Sequence, residues 1–188
     1  MTVISTLPWP RSSSSVVQAV SILVGDGDGY FQLLPSFSIG AIRPAGLAAA
    51  DFNGDGKLDL AACGQGSPFV YIMVGNGRGA FQPEMEFALP SGCASLAVGD
   101  FNEDGRPDLA VTCSLAYTVS IMLGRGDGTL QTSRNYSVGL AGDAVVGTFN
   151  NTALPDVAAG IIGISSSLVV LANTTERRTL ATPAAQTK

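Results

Sequence analysis

Asp51-Phe52-Asn53-Gly54-Asp55-Gly56-Lys57-Leu58-Asp59-Leu60 is the stretch whose reading decides the fold. Side-chain oxygens stand at 51, 53, 55 and 59, and glycines at 54 and 56 permit the tight turn that aims those oxygens inward. Loops of this kind hold hard cations such as calcium through carboxylates, an Asn carbonyl and one backbone carbonyl. Lys57 would contribute only its backbone C=O, so its charge is no objection. The stretch recurs 49 residues on as Asp100-Phe101-Asn102-Glu103-Asp104-Gly105-Arg106-Pro107-Asp108-Leu109. A worn third copy, Thr148-Phe149-Asn150-Asn151-Thr152-Ala153-Leu154-Pro155-Asp156-Val157, follows after a further 48 residues. Two good copies and a remnant at nearly constant spacing point to a repeat architecture.

A second unit keeps the same period. Ile22-Leu23-Val24-Gly25-Asp26-Gly27-Asp28-Gly29-Tyr30-Phe31-Gln32 returns at Ile72–Gln82 and again at Ile121–Gln131. Its glycines supply the positive φ values of tight hairpins. Val169-Val170-Leu171 keeps the register, but the residues after it have lost the glycines. Each full repeat therefore predicts four strands, at 45–50, 58–63, 69–74 and 81–88, and then at 95–99, 109–113, 119–123 and 130–138. They are short apolar runs, which predicts sheets covered on both faces, and no window has helical periodicity. Four strands per repeat of about 50 residues is the period of propeller blades. Small residues crowd the first strand of each repeat, as at Ala48-Ala49-Ala50 and Ala94-Ser95-Leu96-Ala97, which suits strands converging on an axis.

The expected fold is thus all-β, a β-propeller of four-stranded antiparallel blades with about three and a half blades in the chain. Residues 1–15, with Pro8, Trp9, Pro10 and a serine run, read as a linker or disordered arm. Residues 16–40 form a half blade that lacks its inner strands, 41–91 and 92–139 are whole blades, 140–175 is a partial blade, and 176–188 is a flexible tail. Closed propellers take roughly four to eight blades. The chain therefore reads as a partial propeller, or as half of a seven-bladed assembly completed by a homodimer.

Composition removes several functions. With 46% hydrophobic and 13% charged residues, the chain of 188 residues is not of the disordered type. The net charge of −5 and the lack of a basic stripe give no reason to expect nucleic acid. No histidine is present, which excludes Ser-His-Asp and Cys-His catalysis and His-ligated zinc within this chain. Cys63, Cys93 and Cys113 are too scattered for a CxxC metal site, and their preferred reading is as small buried apolar residues. Pairing of Cys93 with a neighbour is the alternative. No apolar run reaches the ~18 residues of a membrane helix. The N-terminus does not show a basic segment followed by an apolar one, the pattern of a signal peptide. Arg125-Gly126-Asp127 is explained as part of a turn.

In these residues the sequence resembles the FG-GAP/VCBS repeats of integrin-α-type β-propellers. The resemblance covers residues 16–175 and is carried by 51–60, by 100–109 and by the Gly-rich hairpins ending in Phe81 and Leu130. It implies that the acidic loop joins the first two strands of a blade and binds calcium. By that resemblance Asp51, Asn53, Asp55, Lys57 (carbonyl) and Asp59 form one Ca2+ site. Asp100, Asn102, Asp104, Arg106 (carbonyl) and Asp108 form a second. The third copy keeps only Asn150 and Asp156, and no strong site is expected there. An EF-hand would need Glu at the twelfth position, where Ala62 and Val111 stand. The resemblance further implies a secreted or cell-surface setting and a non-catalytic module for adhesion, binding an unknown protein or glycan. An enzyme on the same scaffold, of the polysaccharide lyase or hydrolase kind, is the alternative. The missing histidine and the commitment of the carboxylates to loops speak against it.

Overall fold

Short apolar runs separated by glycine turns favour strands, and the computed structural model of the chain is all-β. It describes residues 2–5, 19–40, 43–150, 152, 154–162 and 167–174. The expected tail at 176–188, Trp9 and most of the expected arm lie outside the described residues.

The strands fall into four antiparallel sheets in chain order, the arrangement of successive blades of a partial β-propeller. The first contains β1 (Thr2–Ser5), β2 (Ala19–Gly25), β3 (Phe31–Leu33) and β4 (Phe37–Ser38). The second is β5 (Pro44–Ala50), β6 (Asp59–Gly64), β7 (Ser67–Met73) and β8 (Met85–Ala88), paired in that order. The third repeats it with β9 (Ser95–Gly99), β10 (Asp108–Cys113), β11 (Thr118–Met122) and β12 (Arg134–Ser137). The fourth has β13 (Ala141–Gly147), β14 (Asp156–Ile161) and β15 (Ser167–Leu171). A single 3-10 turn, Ser114–Ala116, is the helical element among the described residues.

The repeat extends to register. Ala48, Ala61, Ile72 and Met85 form one cross-strand row in the second sheet. Ala97, Ala110, Ile121 and Arg134 form the equivalent row in the third. Val145, Ala158 and Val170 form it in the fourth. The inner strands β5, β9 and β13 lie against one another in sequence, so the small first strands do converge. Alanine and glycine let them do so without collision.

Burial follows position in the sheet. β6 and β10 are buried along their whole length, as central strands covered on both faces must be. The outer β8 alternates and β12 is exposed throughout. Three apolar cores lie between successive sheets. Val20 and Ile22 pack with Leu60, Tyr71 and Met73 between the first and second. Val70 and Ile72 pack with Leu109 and Met122 between the second and third. Ala110 and Val119 pack with Ala144 and Val157 between the third and fourth.

Three expectations change. Thr2–Ser5, inside the segment read as an arm, is a strand paired with β2, with Val3 opposite Leu23 and Ser5 opposite Ser21. The first sheet is therefore more than the outer half of a blade, and the described residues form four sheets. The outermost strands are shorter than predicted, because Phe81 and Leu130 make only single bridges, to Gly75 and Gly124, before β8 and β12 begin. Pro83, with no N–H to donate, lies in one of these gaps. Finally, Cys63 and Cys93 form a disulfide with a Cα–Cα distance of 5.9 Å, and Cys113 is a buried free thiol.

Candidate functional site

Each acidic loop joins the first and second strands of its sheet, β5 to β6 and β9 to β10, as the repeat implied. In the first loop Asp51 organises the turn. Its Oδ1 accepts the N–H groups of Gly54 at 2.7 Å and Asp55 at 3.1 Å, and its Oδ2 accepts that of Gly56 at 2.8 Å. Asn53 Oδ1 accepts the same Asp55 amide at 3.0 Å, so the side-chain oxygens of 51 and 53 converge. Asp55 in turn accepts the Lys57 amide at 2.9 Å and pairs with the Lys57 ammonium at 3.0 Å. That hydrogen-bonded ammonium holds the Asp55 carboxyl below its usual pKa.

The second loop repeats the geometry. Asp104 N–H donates to Asp100 Oδ1 at 3.1 Å and to Asn102 Oδ1 at 3.2 Å, and Gly105 N–H donates to Asp100 Oδ2 at 2.8 Å. Glu103 takes the place of Gly54 and adopts φ 56°, where Gly54 has φ 76°. Arg106 lies 4.0 Å from Asp104, a looser contact than the Lys57 pair.

The last acid of each loop behaves differently. Asp59 is fully buried, and its two oxygens accept the N–H groups of Phe52 at 3.0 Å and Gly75 at 2.8 Å. Asp108 does the same with Phe101 and Gly124, each at 2.8 Å. Asp156 accepts Phe149 at 2.7 Å and Asn173 at 2.6 Å in the worn copy. Asp59 and Asp108 thus clamp the loop to the hairpin between the third and fourth strands, and Asp156 clamps it to the segment that follows β15. Desolvation raises the Asp108 pKa, and the two amide bonds oppose that rise.

The hairpin residues Gly75 and Gly124 are the part of the site that was read only as turn formers. A Cβ on Gly75 would lie 2.1 Å from the Leu58 carbonyl oxygen, and one on Gly124 would lie 2.3 Å from that of Pro107. Glycine is required so that its amide can reach the buried carboxylate. The sequence signal was available in the common period of hairpin and loop.

Adjacent sheets are also tied at this end. Gly128 N–H donates to the Phe52 carbonyl at 2.9 Å, and Asn173 Nδ2 donates to the Phe101 carbonyl at 2.7 Å. Between the two loops lies a cleft of about 410 Å3, with Asp51 and Gly54 on one side and Gly105 and Arg106 on the other. The Arg125-Gly126-Asp127 turn is bound up in its own hairpin. Arg125 donates to the Leu130 carbonyl, and Asp127 accepts the Thr129 hydroxyl at 2.6 Å.

The loops offer oxygen donors alone, which is the chemistry a hard cation takes. Among the described residues no group of three His, Cys, Asp or Glu side chains stands gathered as a metal cluster. Asn53, Asn102 and the backbone carbonyls of 57 and 106 fall outside such a count. The buried acids retain lone pairs beyond those their two amides use. The donor set therefore fits calcium in kind, and the last acid would have to serve clamp and cation together.

No curated protein matches the chain by sequence. Among solved structures, it is similar to a lectin of Agrocybe aegerita described for specific recognition of non-reducing terminal N-acetylglucosamine. The identity is 19%, over 82% of this chain and 46% of the lectin chain, with a TM-score of 0.49. It is also similar to a chain of the Photorhabdus luminescens Tc holotoxin pore. There the identity is 16%, over 81% of this chain and 8% of that chain, with a TM-score of 0.49. The chain thus spans about half the length of the lectin and a small part of the toxin chain. The model of the FG-GAP-like repeat matches residues 11–62 and 51–111, which together are more than half of the chain. Repeat, loops and hairpins agree with that match, and the chain belongs to the FG-GAP-like repeat family.

Proposed function

We propose that the chain is a calcium-binding, non-catalytic propeller module that presents its loop face to an extracellular protein or glycan. The observation that carries this reading is the duplicated convergence of oxygens: Asp51 and Asn53 on the Asp55 amide, and Asp100 and Asn102 on the Asp104 amide. Asp51, Asn53, Asp55, the Lys57 carbonyl and Asp59 would hold one ion. Asp100, Asn102, Asp104, the Arg106 carbonyl and Asp108 would hold the other. Three carboxylates against one divalent ion leave each site with about one excess negative charge, so calcium discharges loops that otherwise repel themselves. The Cys63–Cys93 disulfide supports a secreted or cell-surface location, since disulfides persist in oxidising compartments.

Calorimetric titration should find two calcium ions per chain, in the range of extracellular modules, on the order of 10⁻⁴–10⁻³ M. At ten times the dissociation constant, each site adds about 1.4 kcal/mol of stability by linkage. Asp55→Ala and Asp104→Ala should each remove one ion. A melting temperature unmoved by calcium or by chelator would overturn the reading.

A further inference from the structure

Two sulfurs compete for Cys93. Cys63, on β6 of the second sheet, holds it in the disulfide. Cys113, the last residue of β10, belongs to the third sheet. All three cysteines are fully buried in one core. The register of the repeat sets Cys113 across from Cys93. In the second sheet the pairing of β5 with β6 steps over Ala45, and just beyond that step Pro44 stands opposite Gly64. The places 49 residues on are Cys93 and Cys113. The third sheet makes the same step. Ser95 is the partner of Thr112, and the amide of Ala94, one residue earlier, donates to the Thr112 carbonyl at 2.8 Å. Residues directly opposite in a sheet hold their Cβ atoms about 4.5–5.5 Å apart. A disulfide takes about 3.5–4.5 Å. A small backbone adjustment therefore brings Cys113 within bonding range of Cys93. The Cys113 sulfur lies 3.5 Å from the Ser120 hydroxyl, and the amide of Ser91, two residues before Cys93, also faces it.

We propose that Cys93 is a shared disulfide partner, and that the bridge passes from Cys63 to Cys113 by internal thiol–disulfide exchange. The Cys113 thiol gives up its proton, and its sulfur attacks Cys93 Sγ. The Cys93–Cys113 bond forms as the Cys63–Cys93 bond breaks. The electron pair of the broken bond leaves on Cys63 Sγ, which takes up the proton. One disulfide and one thiol stand on each side of the step, so it needs neither oxidant nor reductant. The step moves a tether. With Cys63 the bridge joins the second sheet to the crossover, and with Cys113 it joins the crossover to β10 inside the third sheet. Exchange thus frees the second sheet from its covalent tie to the third, while the apolar core between them stays. Both positions that can carry the thiol are fully buried, so the step requires no access from solvent. Calcium plays no part in it.

Differential alkylation of the whole chain decides the question. The wild-type protein is held in mildly alkaline buffer, quenched in acid, unfolded in denaturant and treated with iodoacetamide. It is then reduced, given a second label and mapped by peptide mass. The first label should appear on Cys63 as well as on Cys113, and its share on Cys63 should grow with time to a plateau. That share should be the same at low and high protein concentration, as an internal step demands. The variant Cys63→Ser, refolded in a glutathione redox buffer, should join Cys93 to Cys113 and show no free thiol on unfolding. A first label confined to Cys113, a first label on Cys93, or a Cys63 share that rises with protein concentration would each overturn the proposal. So would a folded Cys63→Ser variant that keeps two free thiols.

Discussion

Asp59, Asp108 and Asp156 show how a single residue type serves two ends. Each is fully buried, and each spends both oxygens on backbone amides that would otherwise be stranded. Asp156 keeps this role in a copy whose other acids are gone, which marks the clamp as separable from cation binding. Asp59→Ala strands two buried N–H groups at roughly 1–3 kcal/mol each, a loss of about 2–6 kcal/mol. Denaturation in chelator should show this loss, calcium should enlarge it because the variant also weakens one proposed ion site, and a loss confined to calcium would assign Asp59 to the cation alone. Burial raises the Asp108 pKa, so the folded state holds that proton more tightly than the unfolded chain. Its contribution to stability is present below the unfolded carboxyl pKa and falls as pH rises through the folded value.

At the scale of elements, loop and hairpin act as one unit. Gly54 sits at φ 76°, and an added Cβ there would meet only the Gly126 carbonyl oxygen, at an ordinary 3.6 Å. Gly54→Ala should cost about 1–2 kcal/mol, the strain of a left-handed non-glycine residue. Gly75→Ala drives a Cβ to 2.1 Å from the Leu58 carbonyl oxygen and pushes its amide off buried Asp59. Losing a hydrogen bond to a buried charge and straining the turn should together cost about 3 kcal/mol or more. Urea denaturation of the two variants measures the difference, and equal losses would refute the coupling. The loops themselves were legible because their oxygens alternate over ten residues. The hairpin's part in them was not, because Gly75 lies 16 residues from the acid it serves.

Across the whole molecule, the disulfide fastens one sheet to the next. Cys63 lies one residue before the end of β6, and Cys93 lies in the crossover from the second sheet to the third, where its N–H also donates to the Gly64 carbonyl at 3.0 Å. The bridge closes a separation of 30 residues. Chain entropy puts its contribution at about 3–4 kcal/mol. The double variant Cys63→Ser, Cys93→Ser should lose about that much in thermal or chemical denaturation, and an unchanged midpoint would refute the tether. Cys113 remains a thiol in the same core, and burial pushes its pKa up. It should stay unmodified by alkylating reagents until the fold opens.

The sequence by itself determined the period, the strand order within each repeat, the two acidic loops and their turns. All of these rest on short-range chemistry: glycine at positive φ, oxygens at alternate positions, apolar runs between turns. Tertiary structure alone decided that Cys93 joins Cys63, that the buried acids clamp hairpin amides, and that Thr2–Ser5 pairs with β2 across an interval with no repeat signal. It alone also showed Leu168 and Phe31 exposed where Val119 and Leu130 are buried. Equivalent residues carry equivalent local preferences, and only the presence or absence of a neighbouring sheet separates them.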